Sequence, residues 1–111
     1  MEVSAKHEGQ TLTFFLVGEL DHHGAKGLLE NLEREIERTL PLSLVLDFSG
    51  VTFMDSSGIG VLLNRYKQMK AGHTSFYGAC PQVMRVLKVA GILGLMHQYE
   101  SKEEAIYSRE V

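Results

Sequence analysis

"FMDSSGIGVLLNRYKQM", Phe53–Met69, sets an acid, two serines and a glycine directly ahead of a run with helical periodicity. Ile59, Leu62, Leu63, Tyr66 and Met69 fall at positions i, i+3, i+4, i+7 and i+10, which is one apolar stripe of a helix. The spacing predicts a helix from about Ser57 to Ala71, stopped by Gly72. Just upstream, "LSLVLDF" (Leu42–Phe48) is short, aliphatic and bounded by Pro41 and by Ser49-Gly50, so it is predicted to be a buried strand. A strand that feeds a helix is half of a crossover, and crossovers join parallel strands.

The flanking sequence repeats this alternation. Val3–Lys6 and Thr11–Val17 are predicted as two strands joined by His7-Glu8-Gly9-Gln10, a hairpin-length turn containing glycine. "TLTFFLV" is apolar at nearly every position, as suits a strand covered on both faces. Gly18-Glu19-Leu20-Asp21 breaks the pattern. From about Gly24 to Leu40, the residues Leu28, Leu32, Ile36 and Leu40 recur every fourth position opposite a charged face, and Pro41 ends that helix. Thr74–Tyr77 is a further strand. Pro81 opens a helix whose stripe is Val83, Val86, Leu87 and Ala90, ended by Gly91. Ser101 and Glu104 have capping-box spacing ahead of a last short helix. The expected fold is α/β, with one mixed, mostly parallel sheet packed with about four helices.

Composition narrows the function classes. At 111 residues the chain is expected to be one domain, spanning 1–111. With 44% hydrophobic and 23% charged residues, it is an ordinary globular sequence. A net charge of −3 with scattered basic residues argues against direct nucleic-acid binding. No apolar run is long enough to span a bilayer, and Met1-Glu2-Val3-Ser4 lacks a signal-peptide layout. Cys80 is alone, which leaves no internal disulfide and no zinc motif. A cytoplasmic protein without membrane attachment is the expectation.

In such sheets the loops leaving the carboxyl ends of strands gather on one edge, and that edge usually carries function. Here it collects Gly18–His23, Val51–Ser57 and Gly78–Cys80, which brings Asp21 towards Ser56. Asp and Ser are favoured helix N-caps because a side-chain oxygen accepts from an otherwise unpaired helical N–H. One cap suffices, however, so the second serine is surplus. Gly58 costs about 1 kcal/mol of helix stability relative to alanine, which points to close approach of another molecule to the backbone. A nucleophilic serine needs a base and a strained G-x-S-x-G turn, and that turn is absent. A phosphate-binding loop needs a lysine that "DSSGIG" lacks, and Asp55 would repel the anion. A serine that accepts a phosphoryl group fits better, because a phosphate at a helix N-terminus meets the positive end of the dipole.

"GELDHH" (Gly18–His23) and "FMDSSGIGVLLNRYKQ" (Phe53–Gln68) resemble the two signature regions of STAS-domain anti-sigma factor antagonists, in particular those of the sporulation anti-sigma F group. The resemblance implies a regulatory binding protein and not an enzyme. It implies that the serine after the aspartate, Ser56, is phosphorylated by the anti-sigma factor, itself a serine kinase. ATP is then the kinase's substrate, and the chain needs no cofactor of its own. The unphosphorylated form would bind the anti-sigma factor and release the sigma factor. The phosphorylated form would not bind, until a serine phosphatase restored it. Two other roles compete: a STAS-type ligand or nucleotide sensor, and a scaffold subunit of a stress-signalling complex.

The expected partner-contacting residues are Asp21, Asp55, Ser56, Ser57, Gly58, Gly60 and Asn64. Asp21 is also expected to cap the first long helix, and Asp55 to cap the second or to orient Ser56. Ile59 and Leu62 are assigned to the core, whereas Gly60 and Asn64 lie off the stripe. Asn64 stands where a glycine or another small residue is expected. His22 and His23 are adjacent, point in different directions and have no third ligand at suitable spacing, so no metal is expected. Cys80 before Pro81 is assigned to a half-buried turn.

Overall fold

The chain begins with an antiparallel hairpin, β1 (Glu2–Glu8) and β2 (Thr11–Leu20), whose turn uses Gly9 at φ 60°. The computed structural model describes residues 1–69 and 73–105. After the hairpin come α1 (His22–Thr39), β3 (Ser43–Met54), α2 (Ser56–Gln68), β4 (His73–Tyr77), α3 (Pro81–Val89), a 3-10 turn over Ile92–Gly94 and a short β5 (His97–Gln98). Residues 102–105 are helical again. The strands lie in the order β1-β2-β3-β4-β5, and every pair after the hairpin is parallel. This is the expected mixed, mostly parallel α/β sheet.

Leu12, Phe14 and Leu16 of β2, Leu44, Leu46 and Phe48 of β3 and Phe76 of β4 point to one face of the sheet. There they meet Leu28 and Leu32 of α1, Leu62 of α2, and Val83 and Leu87 of α3. All are at most 1% exposed, and each such side chain contributes about 1.5–3 kcal/mol. The opposite face carries a smaller cluster of Val45, Tyr77 and Ala105 with Tyr99 against it. On that face the Tyr77 hydroxyl donates to Asp47 Oδ2 at 3.0 Å, which satisfies a buried carboxylate.

Several details differ from the expectation, the chief ones for local reasons. β2 continues past Val17 to Leu20 because Gly18, at φ 120°, takes up an irregularity in the register with β3. β3 runs through Ser49-Gly50 to Met54. A side chain at Gly50 would lie 2.7 Å from the Leu16 carbonyl oxygen, so glycine allows the strands to close there. Leu40 is not part of the α1 stripe. It ends the helix at φ 48° and ψ 56°, with its N–H on the Ile36 carbonyl, and is 79% exposed. On α2 the buried positions are Gly58, Val61, Leu62 and Arg65, so Tyr66 faces outward and Ile59 and Leu63 are half-buried. α2 ends at Gln68, with the Met69 N–H on the Arg65 carbonyl at 3.0 Å, short of the expected end at Ala71; Ala71 and Gly72 themselves lie outside the described residues.

At the other end, the Ser101 hydroxyl accepts from the Glu104 N–H at 3.1 Å, and Glu104 Oε2 accepts from the Glu100 N–H at 2.6 Å. The predicted capping box therefore forms, with its return bond displaced by one residue.

Candidate functional site

The site is built where β2 and β3 end side by side. Leu20 and Met54 are register partners, and the Asp55 N–H reaches the Leu20 carbonyl at 3.4 Å. The next residue on each strand is an aspartate that caps a helix. Asp21 has extended backbone, and its Oδ1 accepts from the Gly24 N–H at 2.8 Å. Asp55 repeats this on α2, its Oδ1 accepting from the Ser57 N–H at 2.9 Å, while its carbonyl accepts from Gly58 at 3.1 Å. The two caps are thus parallel devices set on neighbouring strands.

The cap of α2 is the aspartate, so the serine hydroxyls are not needed for capping. Ser56 is the first helical residue, is exposed, and supplies no capping bond. Its hydroxyl is presented beside the positive end of the α2 dipole. Ser57 is half-buried and faces α1.

Between α1 and α2 runs a groove of about 360 Å³. Ala25, Leu29 and Val61 form its apolar surface, and His22, Lys26, Ser57 and Asn64 its polar one. Gly60 also lines it. A side chain at Gly60 would meet nothing within 4 Å, so the fold itself does not require glycine there. Gly58 is the opposite case. It is buried, and a Cβ would fall 2.8 Å from Leu20 Cγ and 3.0 Å from Met54 Cγ. The close approach inferred at Gly58 is made by the protein's own side chains, and this glycine sets how deeply α2 seats on the strand ends.

The third expected loop lies elsewhere. β4 ends at Tyr77 opposite Asp47, and Gly78, at φ 80°, packs against Ser49 and not against Ser56. Cys80 is half-buried before α3. Among the described residues no group of three or more His, Cys, Asp or Glu could hold a metal, and no helix is long and apolar enough to cross a membrane. Two residues near the site were invisible to pattern reasoning. Arg65, only 3% exposed, lies beneath α2 with its guanidinium directed to Gln68 and Glu33. Gln82 of α3 holds both backbone groups of Met54.

The Asp21 carboxyl is held below its ordinary value of 3.8, chiefly by the hydrogen bond from the Gly24 N–H. A carboxyl with a depressed folded-state value stabilises the fold above its unfolded value and loses that contribution as pH falls through the folded one. Asp21→Ala is therefore expected to lower the melting temperature near neutral pH. The gap to the parent protein should narrow once pH drops below 3.8, as followed by circular dichroism.

A family model described as the STAS domain matches residues 2–105. The chain belongs to the STAS domain family. Among STAS proteins it is similar to the anti-sigma F factor antagonist of Paenibacillus polymyxa, with 33% identity over 113 residues that cover 100% of this chain and 97% of that one. The STAS fold seen here is also similar to the solved unphosphorylated form of the anti-sigma factor antagonist SpoIIAA, with a TM-score of 0.84, 28% identity and coverage of 99% of this chain and 98% of that one. Against the phosphorylated form of SpoIIAA from Bacillus the TM-score is 0.75, with 27% identity and coverage of 96% and 98%.

Proposed function

We propose that this STAS domain is an anti-sigma factor antagonist whose binding is switched by phosphorylation of Ser56. The observation that carries the reading is an exposed hydroxyl at the first position of α2 that the fold does not use, since Asp55 supplies the cap. Its setting supports the reading, as do relatives named for that function over nearly the full chain.

In the unphosphorylated state the partner, an anti-sigma factor that is also a serine kinase, docks along Asp21, Asp55, Ser56, Ser57, Gly60 and Asn64. The open Gly60 lets its backbone approach the groove between α1 and α2. Docking displaces the sigma factor, and transcription of the sporulation programme follows. The kinase transfers the γ-phosphoryl group of ATP to Ser56 Oγ. The hydroxyl proton passes to a base of the kinase, and ADP leaves. A serine phosphatase reverses the modification by attack of water on phosphorus, which releases inorganic phosphate and the serine hydroxyl. This domain contributes the acceptor and the surface, takes no cofactor of its own, and performs no catalysis.

The phosphoryl group adds about −1.5 to −2 charges at neutral pH. It lands next to the Asp55 carboxylate, on an edge shared with Asp21. That concentration of negative charge must be stripped of water against a partner surface shaped for a hydroxyl, which is sufficient to prevent docking without refolding the domain. The direct test incubates the domain with the anti-sigma factor of the same organism and ATP, then maps the modified residue by mass spectrometry. Label on Ser56 alone is expected. Label on Ser57, or none on either serine, would overturn the assignment.

A further inference from the structure

β3 outruns its neighbour. β4 stops at Tyr77, opposite Asp47, so among the described residues no strand borders the outer edge of β3 at Met54. In an extended chain a residue's N–H and C=O point to the same side, and alternate residues point to opposite sides. The Asp55 N–H points to β2, where it meets Leu20, so both Met54 groups point away from β2. They are met there by a single side chain. The Met54 N–H donates to Gln82 Oε1 at 3.0 Å, and Gln82 Nε2 donates to the Met54 carbonyl at 3.0 Å. The carboxamide thus stands in for the missing strand, matching one donor and one acceptor with its own acceptor and donor.

Met54 is the last residue of β3, and Asp55, the α2 cap, follows it directly. The Met54 side chain is 1% exposed and lies against the backbone of Gly58. Whatever fixes Met54 therefore fixes both the cap and the seat of the first turn of α2. Gln82 does not line the groove between α1 and α2, and its two bonds to Met54 tie it to the start of α2.

We propose that Gln82 is a positioning residue, which clamps the end of β3 from α3 and thereby sets the position in which Ser56 meets its kinase. This rests on Ser56 being the switch residue. A purely local role, satisfying two backbone groups, would confine the effect of its loss to Met54. The experiment separates the two roles by reading amides that Gln82 does not touch. Gln82→Met keeps the bulk of the side chain and removes both bonds. Gln82→Glu keeps the acceptor and sets a carboxylate against the Met54 carbonyl. In both variants hydrogen exchange at the Ser57 and Gly58 amides, which bond to Asp55, should rise about tenfold, while the Phe14 amide in β2 stays unchanged. Affinity for the anti-sigma factor should fall about three- to tenfold, as measured by calorimetry. Exchange that rises only at Met54 would overturn the proposal, as would an unchanged affinity in a series where Ser56→Asp loses binding. If Ser56→Asp itself binds like the parent, the switch reading fails, and the functional half of this inference falls with it. The exchange data alone would then decide whether the clamp orders the α2 N-terminus.

Discussion

Ser56→Asp is expected to weaken binding to the anti-sigma factor by roughly tens- to thousands-fold, while Ser56→Ala binds within about twofold of the parent and cannot be phosphorylated. The two substitutions separate the jobs that a serine in this position can hold. Were the hydroxyl a helix cap, alanine would destabilise the domain by about 1 kcal/mol. Asp55 already occupies that role through the Ser57 N–H, so Ser56→Ala should melt with the parent protein. Aspartate at the first helical position is favourable towards the dipole, so Ser56→Asp should also fold normally. Its loss of binding then reports charge at the interface and not a damaged fold. The effect should fall towards the lower end of the range, because one carboxylate carries less charge and fewer acceptor oxygens than a phosphate. Calorimetric titration of both variants against the anti-sigma factor decides the matter. A Ser56→Asp protein that binds like the parent would remove the electrostatic basis of the switch.

That exposed hydroxyl was legible in the amino-acid sequence because capping follows local rules. An acid ahead of two serines and an apolar-periodic run can serve as a cap with one side chain, which leaves the others free. The main helices and the mostly parallel character of the sheet followed likewise from periodicity and alternation, whereas the two-residue β5 is too short to leave such a pattern. What escaped was set by close approach between segments distant in sequence. Ser49-Gly50 has the composition of a strand terminator, yet Gly50 is there because the Leu16 carbonyl and Val17 occupy the space of a side chain. Gly18 marks a register irregularity and not an end. Gln82 binds backbone groups of a strand 28 positions away, and such a bond leaves no trace in hydrophobic patterning. Gly58 and Gly60 look alike in sequence and differ entirely in setting, one buried against Leu20 and Met54, the other open to the groove. The open surface on α2 is therefore narrower than the motif.

Arg65 is the clearest reversal, and the largest change in stability is expected there. Apolar spacing put Tyr66 on the inner stripe, but Tyr66 is 38% exposed and Arg65 only 3%. The Arg65 guanidinium donates to Gln68 on its own helix and, at 3.4 Å, to Glu33 of α1, while its Nε has no hydrogen-bond partner among the described residues. Glu33 is half-exposed, its side chain at 49%, so water screens the pair and the ion pair adds little to stability. What Arg65 chiefly supplies is volume, because its aliphatic stem fills space beneath α2. Arg65→Ala should therefore destabilise the domain by about 2–4 kcal/mol through the cavity, even though Glu33 can return to water. Arg65→Met fills most of that space with no charge to desolvate and no orphaned Nε, so it should be at least as stable as the parent. Chemical denaturation of the two variants tests the assignment. If Arg65→Met loses as much as Arg65→Ala, the charge and its bonds outweigh the packing. The distinction bears on function, because Arg65 and Glu33 join the two helices that form the walls of the groove. A cavity beneath α2 would let that wall relax and so weaken docking, without any change in the residues a partner touches.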